Sequence, residues 1–185
     1  MTKRTARVLC PLLIGVLVGC ASDESLRSTL DEDGVTWAGM DVTITLARPA
    51  PRFSATARDY LYIAPIEGND QGSRRHYLWL GLGTTVDRGW VLAAPSSAIT
   101  LVLLVDGLPV ALPLSSWDAD VGMLHDAPSP VYAVQRARVT SDQLQRIAHA
   151  QSVEVQLVAA DGAAARYELW DGAWSDWSAA AAAGR

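Results

Sequence analysis

Residues 101–113 read LVLLVDGLPVALP, two apolar runs separated by Asp106 and Gly107. Asp-Gly favours a two-residue type I′ turn, because both turn residues take φ > 0. With that turn, Pro109 and Pro113 both lie on the outer edge of the second strand, where a missing N–H breaks no ladder hydrogen bond. Turn chemistry and proline spacing therefore predict an antiparallel hairpin whose second strand is an edge that prolines guard against further pairing.

A second hairpin is predicted around residues 160–162, Ala-Asp-Gly. A two-residue turn would mix polar and apolar side chains on both faces of the two strands. A three-residue loop with Gly162 in the left-handed conformation instead gives one apolar face. The sequence therefore favours the three-residue loop, which pairs Val155 with Tyr167 and Leu157 with Ala165.

The other apolar runs are rich in Val, Ile, Tyr, Trp and Thr and are typical of strands. They cover residues 35–47, 60–66, 76–84 and 90–94, and the polar segment 67–73 is predicted to be a loop. Thr140 and Gln143 form a capping-box pattern before an apolar stripe, which predicts one short helix near 141–150. The fold class is therefore mainly β: an antiparallel β-sandwich or a partly open barrel with that helix.

The first nineteen residues have the pattern of a secretory signal. A basic stretch precedes an apolar run of twelve residues, Val8 to Gly19. As a helix this run would rise only about 18 Å, too short for a hydrocarbon core of about 30 Å. A basic start and a short apolar run are typical of a cleavable signal rather than of a membrane span.

Leu17-Val18-Gly19-Cys20, at the end of that run, resembles the lipobox of bacterial lipoproteins. The resemblance implies cleavage before Cys20 and lipidation of its thiol and its new amino group. Two or more acyl chains anchor a protein stably in a membrane. Ala21 rather than Asp follows the cysteine, and this resembles the pattern that sorts lipoproteins to the outer membrane, facing the periplasm.

The expected organisation has four parts: a signal peptide at 1–19, the lipidated Cys20 with a flexible tether to 33, one β-rich domain at 34–172, and a Trp- and Ala-rich tail at 173–185. The tail has helical spacing, and two interpretations stay open for it: a short helix or a frayed end. Cleavage removes Lys3, Arg4 and Arg7, so the mature chain has 12 basic and 20 acidic residues, a formal net charge of −8. Such a charge argues against nucleic acid as a partner.

The densest group of titratable residues lies in the segment 117–126, WDADVGMLHD. The weak catalytic candidates there are Asp118, Asp120, His125 and Asp126. Of these, Asp118 and Asp120 as paired carboxylates would suit glycan hydrolysis. The calcium-loop pattern fails, because Gly122 and Met123 occupy positions that need an oxygen ligand and a glycine. The alternative interpretation is a solvated turn in which Asp caps backbone N–H groups. The sequence predicts no metal and no cofactor.

Seven tryptophans occur in the chain. Those in predicted strands, Trp170 among them, are assigned to packing. Trp117, Trp174 and Trp177 lie in polar segments, where an exposed indole would anchor a protein contact or stack on a sugar ring. The sequence favours a non-enzymatic envelope component that binds a protein partner. The alternatives are a glycan-binding module that uses these indoles and an enzyme on peptidoglycan or another envelope glycan that uses the Asp118–Asp126 loop.

Overall fold

A computed structural model describes residues 26–40, 42–51, 54–85, 99–117, 125 and 130–183 of the chain. The described part is mainly antiparallel strand. The strands are β1 (Leu26–Leu30), β2 (Thr36–Met40), β3 (Ile44–Pro49), β4 (Arg58–Asp70), β5 (Ser73–Thr84), β6 (Ile99–Val105), β7 (Leu108–Ser116), β8 (Val131–Val139), β9 (Val153–Ala159) and β10 (Ala164–Asp171). The helices are α1 (Ser141–Ala148), a 3₁₀ helix (Trp174–Trp177) and α2 (Ser178–Ala183).

Eight of these strands close into a ring, in the order β4-β3-β10-β9-β6-β7-β8-β5 and back to β4. The mainly β, antiparallel prediction is confirmed, but a sandwich or a partly open barrel is not what forms. The ring closes because β4 uses both edges: one pairs with β5 along its whole length, and the other pairs with β3 near its start. The segment 67–73, expected to be a loop, is strand on both sides of a two-residue turn, Gln71-Gly72, with φ of 48° and 93°.

β1 and β2 form a hairpin outside the ring. β2 pairs with the far end of β4, where Gly39 lies opposite Ile66 and Trp37 opposite Gly68. The hairpin therefore extends the wall of the barrel from the strand that already closes it. Residues 26–30, expected to belong to a flexible tether, are the outer strand of this hairpin, because they pair with β2 over their whole length. Cys20 lies outside the described residues.

Both hairpins argued from turn chemistry are confirmed. Asp106 and Gly107 have φ of 50° and 79°, and β6 pairs with β7 from this turn onward. The prediction that β7 is an edge strand holds only in part, because its last three residues, Leu114 to Ser116, pair with β8. Among the described residues, the earlier part of β7, which contains both prolines, pairs with β6 alone. In the second hairpin Gly162 has φ of 83°, and the observed register pairs Val155 with Tyr167 and Leu157 with Ala165.

The predicted helix is confirmed as α1, with Thr140 accepting from the backbone N–H of Gln143 at 3.2 Å and the Gln143 side chain accepting from Thr140 N–H at 2.8 Å. Its buried residues pack over one end of the barrel. The tail, for which a helix or a frayed end was expected, forms the 3₁₀ helix and α2, and it packs against α1 at the same end. The apolar side chains that fill this end are Leu144, Ile147, Ala148, Trp174, Trp177 and Ala181.

Candidate functional site

The tryptophans expected to be exposed are buried. Trp174 and Trp177 meet edge to face with ring centroids 5.1 Å apart, and both belong to the core at the α1 end of the barrel. Trp117 packs 4.8 Å from Trp37 on the outer wall. The expectation of free indoles at these three positions is therefore wrong. It failed because sequence polarity describes the neighbours of a residue along the chain, whereas its burial depends on the elements that pack over it.

The catalytic candidates Asp118, Asp120 and Asp126 lie outside the described residues. His125 is described, and it is buried rather than exposed on a loop. Its ring lies 5.1 Å from that of Trp79, and a Cβ at Gly39 would come within 3.0 Å of the imidazole. His125 therefore packs between the outer wall and β2, which explains why glycine suits position 39. In the described ranges, no three His, Cys, Asp or Glu side chains are placed to hold a metal ion.

A group of aromatic side chains covers the outer face of β4, β5 and β8. We call it the covered cluster; it comprises Trp37, Tyr77, Trp79 and Trp117. The Arg136 guanidinium lies 5.4 to 5.8 Å from three of these rings, those of Trp37, Tyr77 and Trp117. Cations are attracted to the faces of aromatic rings. The protein's own arginine thus occupies this aromatic cage, and the cluster serves to pack the β1–β2 hairpin onto the wall.

Asp31 fastens the turn of that hairpin. Its Oδ2 accepts a 2.7 Å hydrogen bond from the indole N–H of Trp37, and its Oδ1 accepts one of 2.8 Å from the backbone N–H of Val35. The Trp37 bond is the main cause that lowers the pKa of the Asp31 carboxyl below its ordinary value of 3.8, and the charge of Arg136 lowers it further. The carboxylate therefore helps to hold the hairpin in place at neutral pH.

A different aromatic pair, on β10 and β4, is more exposed. We call it the Trp170 patch; it comprises Trp170 and the half-buried Tyr60. The side chain of Trp170 is 60 % exposed. Leu169 is 50 % exposed, but it pairs with the inward-facing Leu46 and so belongs to the opposite face of β10. The rings of Tyr60 and Trp170 stand nearly perpendicular, at 83°, with centroids 6.2 Å apart. The indole of Trp170 is thus exposed to solvent, while the ring of Tyr60 is half-buried.

Trp170 lies in a β-bulge. Glu168 pairs with Ala47 and Leu169 with Leu46, but the next pair joins Asp171 to Thr45. Trp170 is therefore an extra residue with no partner on β3. Bulges re-aim side chains and are frequent beside functional sites.

Trp170 was assigned to packing from sequence, and that assignment is wrong. The strand register could have predicted its exposure. Side chains alternate between the two faces of a strand, so an inward-facing Tyr167 does not share its face with the outward positions, including 170.

The patch is braced from behind. Tyr60 stacks on Tyr62 at 6.1 Å with an interplanar angle of 12°, and Tyr62 is buried against the covered cluster. The cross-strand neighbours of Tyr60 are Ala47 and Gly83, both small. The ring of Tyr60 is thus stacked on Tyr62, and its cross-strand neighbours are too small to cover it. A pre-set aromatic surface loses little conformational freedom on binding.

Negative charge borders the patch. Glu168 and Asp171 are both exposed on β10, immediately before and after the two exposed apolar residues. Farther along the strand, Arg166 forms an ion pair with Glu154 and is thereby neutralised. Within the part of the chain that the structure describes, Glu168 has no ion-pair partner. The patch is therefore an apolar centre with an acidic border.

No protein-family model, curated protein or solved structure matches the chain. Among the described residues, no helix is both long enough and apolar enough to cross a membrane.

Proposed function

We propose that this chain is a lipoprotein, anchored through Cys20 to the periplasmic side of the outer membrane, whose barrel binds a protein partner through the Trp170 patch. The anchor rests on the lipobox resemblance of residues 17–20. The binding surface rests on one observation: a 60 % exposed tryptophan in a bulge, in edge-to-face contact with a tyrosine that stacks on the buried Tyr62. We expect it to act by binding rather than by catalysis.

Single exposed apolar residues are common and carry no functional meaning. An exposed tryptophan in fixed contact with a tyrosine is different, since Trp and Tyr dominate the energetics of protein interfaces when they enter a pocket of the partner. The Trp170 patch presents both residue types at one corner. The other tryptophans that the structure describes are buried: Trp37, Trp79, Trp117, Trp174 and Trp177. The patch is therefore the best candidate for an anchor.

Charge selects the kind of partner. The acidic border of the patch and the net charge of −8 after cleavage favour a partner surface with an apolar pocket ringed by Lys or Arg. Such charge complementarity raises the rate of association and disfavours acidic proteins as partners, and it adds less to the affinity. The partner is therefore a basic protein of the envelope.

The position of β1 limits how far from the membrane the barrel can bind that partner. Only five residues lie between Cys20 and Leu26, the start of β1. The six steps from one Cα to the other reach about 20 Å when fully extended. The barrel is consequently held close to the membrane surface, and the partner is a protein that itself lies within that distance of the membrane.

A glycan ligand is the second candidate, because two perpendicular rings beside a free carboxylate also suit a sugar ring and its hydroxyl groups. Sedimentation of the protein with purified peptidoglycan distinguishes this candidate, since a Trp170-dependent pellet would favour the glycan. An enzyme that uses the Asp118–Asp126 loop stays a prediction. It would be supported if Asp118→Asn with Asp120→Asn changed glycan turnover in the envelope.

The experiment for the protein partner is capture from cells of a C-terminally tagged full-length chain, after crosslinking. Trp170→Ala is compared with Leu108→Ala, which truncates an equally exposed apolar residue, 61 % exposed, at the β6–β7 turn. We expect a partner that wild type and Leu108→Ala retain and Trp170→Ala loses. Capture that is the same for all three proteins would overturn the proposal for this surface.

A parallel Cys20→Ser sample tests the anchor by itself. We expect this variant to leave the membrane fraction and to lose the partner, because it is no longer concentrated beside the membrane. If Cys20→Ser stays in the membrane fraction, the lipid anchor is wrong, whatever happens to the partner.

A further inference from the structure

The hairpin outside the ring leaves its outer strand, β1, at the end of the sheet. β1 pairs with β2 through all five of its residues. In the described part of the chain, no strand pairs with the other edge of β1. An edge of this kind presents a row of backbone N–H and C=O groups that can pair with a further strand.

This edge is less protected than the open part of β7. Proteins keep edge strands from pairing with prolines, β-bulges and charged side chains, above all lysines. The open part of β7 contains Pro109 and Pro113. β1 reads LRSTL, with neither proline nor lysine, and its register with β2 runs from Leu26 to Leu30 without a bulge. Its one charged residue is Arg27, so a further strand can pair with it.

The sequence of β1 is nearly symmetrical about Ser28, and this makes the strand complementary to itself. Two copies can pair antiparallel with Ser28 of one opposite Ser28 of the other. Arg27 of each copy then lies opposite Thr29 of the other, so no two charges face each other directly, which would be unfavourable. Leu30, which is 68 % exposed, lies opposite Leu26 of the second copy and is thereby shielded from water.

We propose that two copies of this chain associate through their β1 strands, antiparallel and centred on Ser28, so that one sheet continues from barrel to barrel. Such a contact has twofold symmetry, the commonest symmetry of protein dimers. It uses the edge of β1 and no residue of the Trp170 patch. Each copy in the dimer therefore still presents that patch to its own partner.

The lipid anchor strengthens this contact, and to that extent the dimer rests on the proposed function. Pairing of two strands this short is marginal by itself in water. Two copies anchored in one membrane are confined near each other, which raises their effective concentration. Only five residues lie between Cys20 and Leu26, so both barrels are held at a similar height, as a twofold axis normal to the membrane requires.

Cysteine crosslinking in cells tests the register. Ser28→Cys in the full-length chain places two thiols opposite each other, with the Cα atoms about 4.5–5.5 Å apart, a separation that a disulfide spans. Thr29→Cys is the matched control, because its two copies are diagonal neighbours about 7–8 Å apart, beyond the reach of a disulfide. Under a mild oxidant we expect at least tenfold more covalent dimer from Ser28→Cys. Wild type reports any crosslinking through Cys20, and we expect none.

Charge at position 28 tests the pairing without a disulfide. Ser28→Lys and Ser28→Glu each place like charges opposite each other, so two differently tagged copies of either variant should no longer co-purify. Cells that express one copy of each variant should regain the complex, because the two charges are then opposite in sign. Ser28 is exposed, so both variants should keep the urea midpoint of wild type.

The proposal is overturned if Ser28→Cys gives no more covalent dimer than Thr29→Cys, or if Ser28→Lys co-purifies with itself as well as with Ser28→Glu. Failure of the anchor is recognised separately. The purified chain with both Ser28→Cys and Cys20→Ser should form the same disulfide at high concentration, which would support the β1 contact even if Cys20 carries no lipid. Trp170→Ala should leave the yield of covalent dimer unchanged, so loss of the protein partner does not imitate loss of the dimer.

Discussion

Two aromatic groups lie on the outer face of one barrel, and only one of them is covered. In the covered cluster, Trp37 comes from an added hairpin and Arg136 fills the space between the rings. In the Trp170 patch, the same residue types face solvent at a bulge. Aromatic content on the wall of this barrel is therefore not enough to suggest a binding surface, and the proposal made for the Trp170 patch depends on the exposure of Trp170.

Pairing of β2 with β4 explains why one aromatic group is covered, and polar neighbours explain why the other is not. β2 pairs with β4 beyond the point where β3 ends its own pairing, and this brings Trp37 over Gly68. Next to the patch, the outward residues of β9 and β10 are polar, including the Glu154–Arg166 ion pair. Such residues give no apolar surface on which a further element would pack.

The largest contrast is expected between Trp79→Ala and Trp170→Ala. Trp79 is fully buried, so its loss leaves a cavity and should lower the free energy of unfolding by about 3–5 kcal/mol. Trp170→Ala should change it by no more than about 0.5 kcal/mol, as at other surface sites. Urea unfolding followed by circular dichroism measures both. Equal losses would mean that Trp170 is a packing residue and that the comparison fails.

A smaller loss is expected from Gly68→Ala. The new Cβ would lie 2.6 Å from Cζ3 of Trp37, so the indole must shift, and overpacking of this kind costs about 1–3 kcal/mol. The effect should shrink in a Trp37→Phe background, because phenylalanine lacks the outer ring atoms that the methyl group meets. A double-mutant cycle of urea midpoints measures this coupling. Additive losses would show that Trp37 does not lie over Gly68.

Arg136→Gln tests whether the cage depends on its cation. Loss of the contacts with three rings should cost about 1–2 kcal/mol. Arg138 is two residues along the same strand and exposed, so Arg138→Gln is the matched control and should change the free energy of unfolding by less than about 0.5 kcal/mol. Thermal unfolding distinguishes the two variants, and similar losses would argue against an interaction of Arg136 with the rings.

The smallest effect concerns pH. The pKa of Asp31 is lowered in the folded protein, chiefly by the Trp37 indole, so its carboxylate stabilises the fold above the unfolded value of 3.8. That contribution is lost as pH falls through the lower, folded-state value. Asp31→Asn should therefore reduce the difference in urea midpoint between pH 7 and pH 3. An unchanged difference would show that Asp31 carries none of the acid sensitivity.

The sequence correctly predicted those features of the fold that depend on a few neighbouring residues. The Asp106-Gly107 turn, the bulged loop at Gly162 and the Thr140 cap each need only a few neighbouring residues, and all three are confirmed. Closure of the ring depends on how far β4 continues. That continuation was missed, because residues 67–73 are polar although they pair across a tight turn.

The candidate site was predicted less well, for a related reason. Exposure of an indole depends on what lies over it, and the cover of Trp117 comes from Trp37, eighty residues earlier in the chain. Trp177 is covered by the end of the barrel. Only for Trp170 did the strand register contain the answer, since the alternation through Tyr167 places it outward before the bulge is considered.

Photo-crosslinking at a single position tests the binding surface most directly. The full-length chain would carry p-benzoylphenylalanine in place of Trp170 in one strain and in place of Leu108 in another, and cells would be irradiated before the envelope is isolated. We expect a discrete adduct with a basic envelope protein from position 170 and none from position 108. If position 170 gives no adduct, or if both positions give the same one, the Trp170 patch is not the binding surface of this protein.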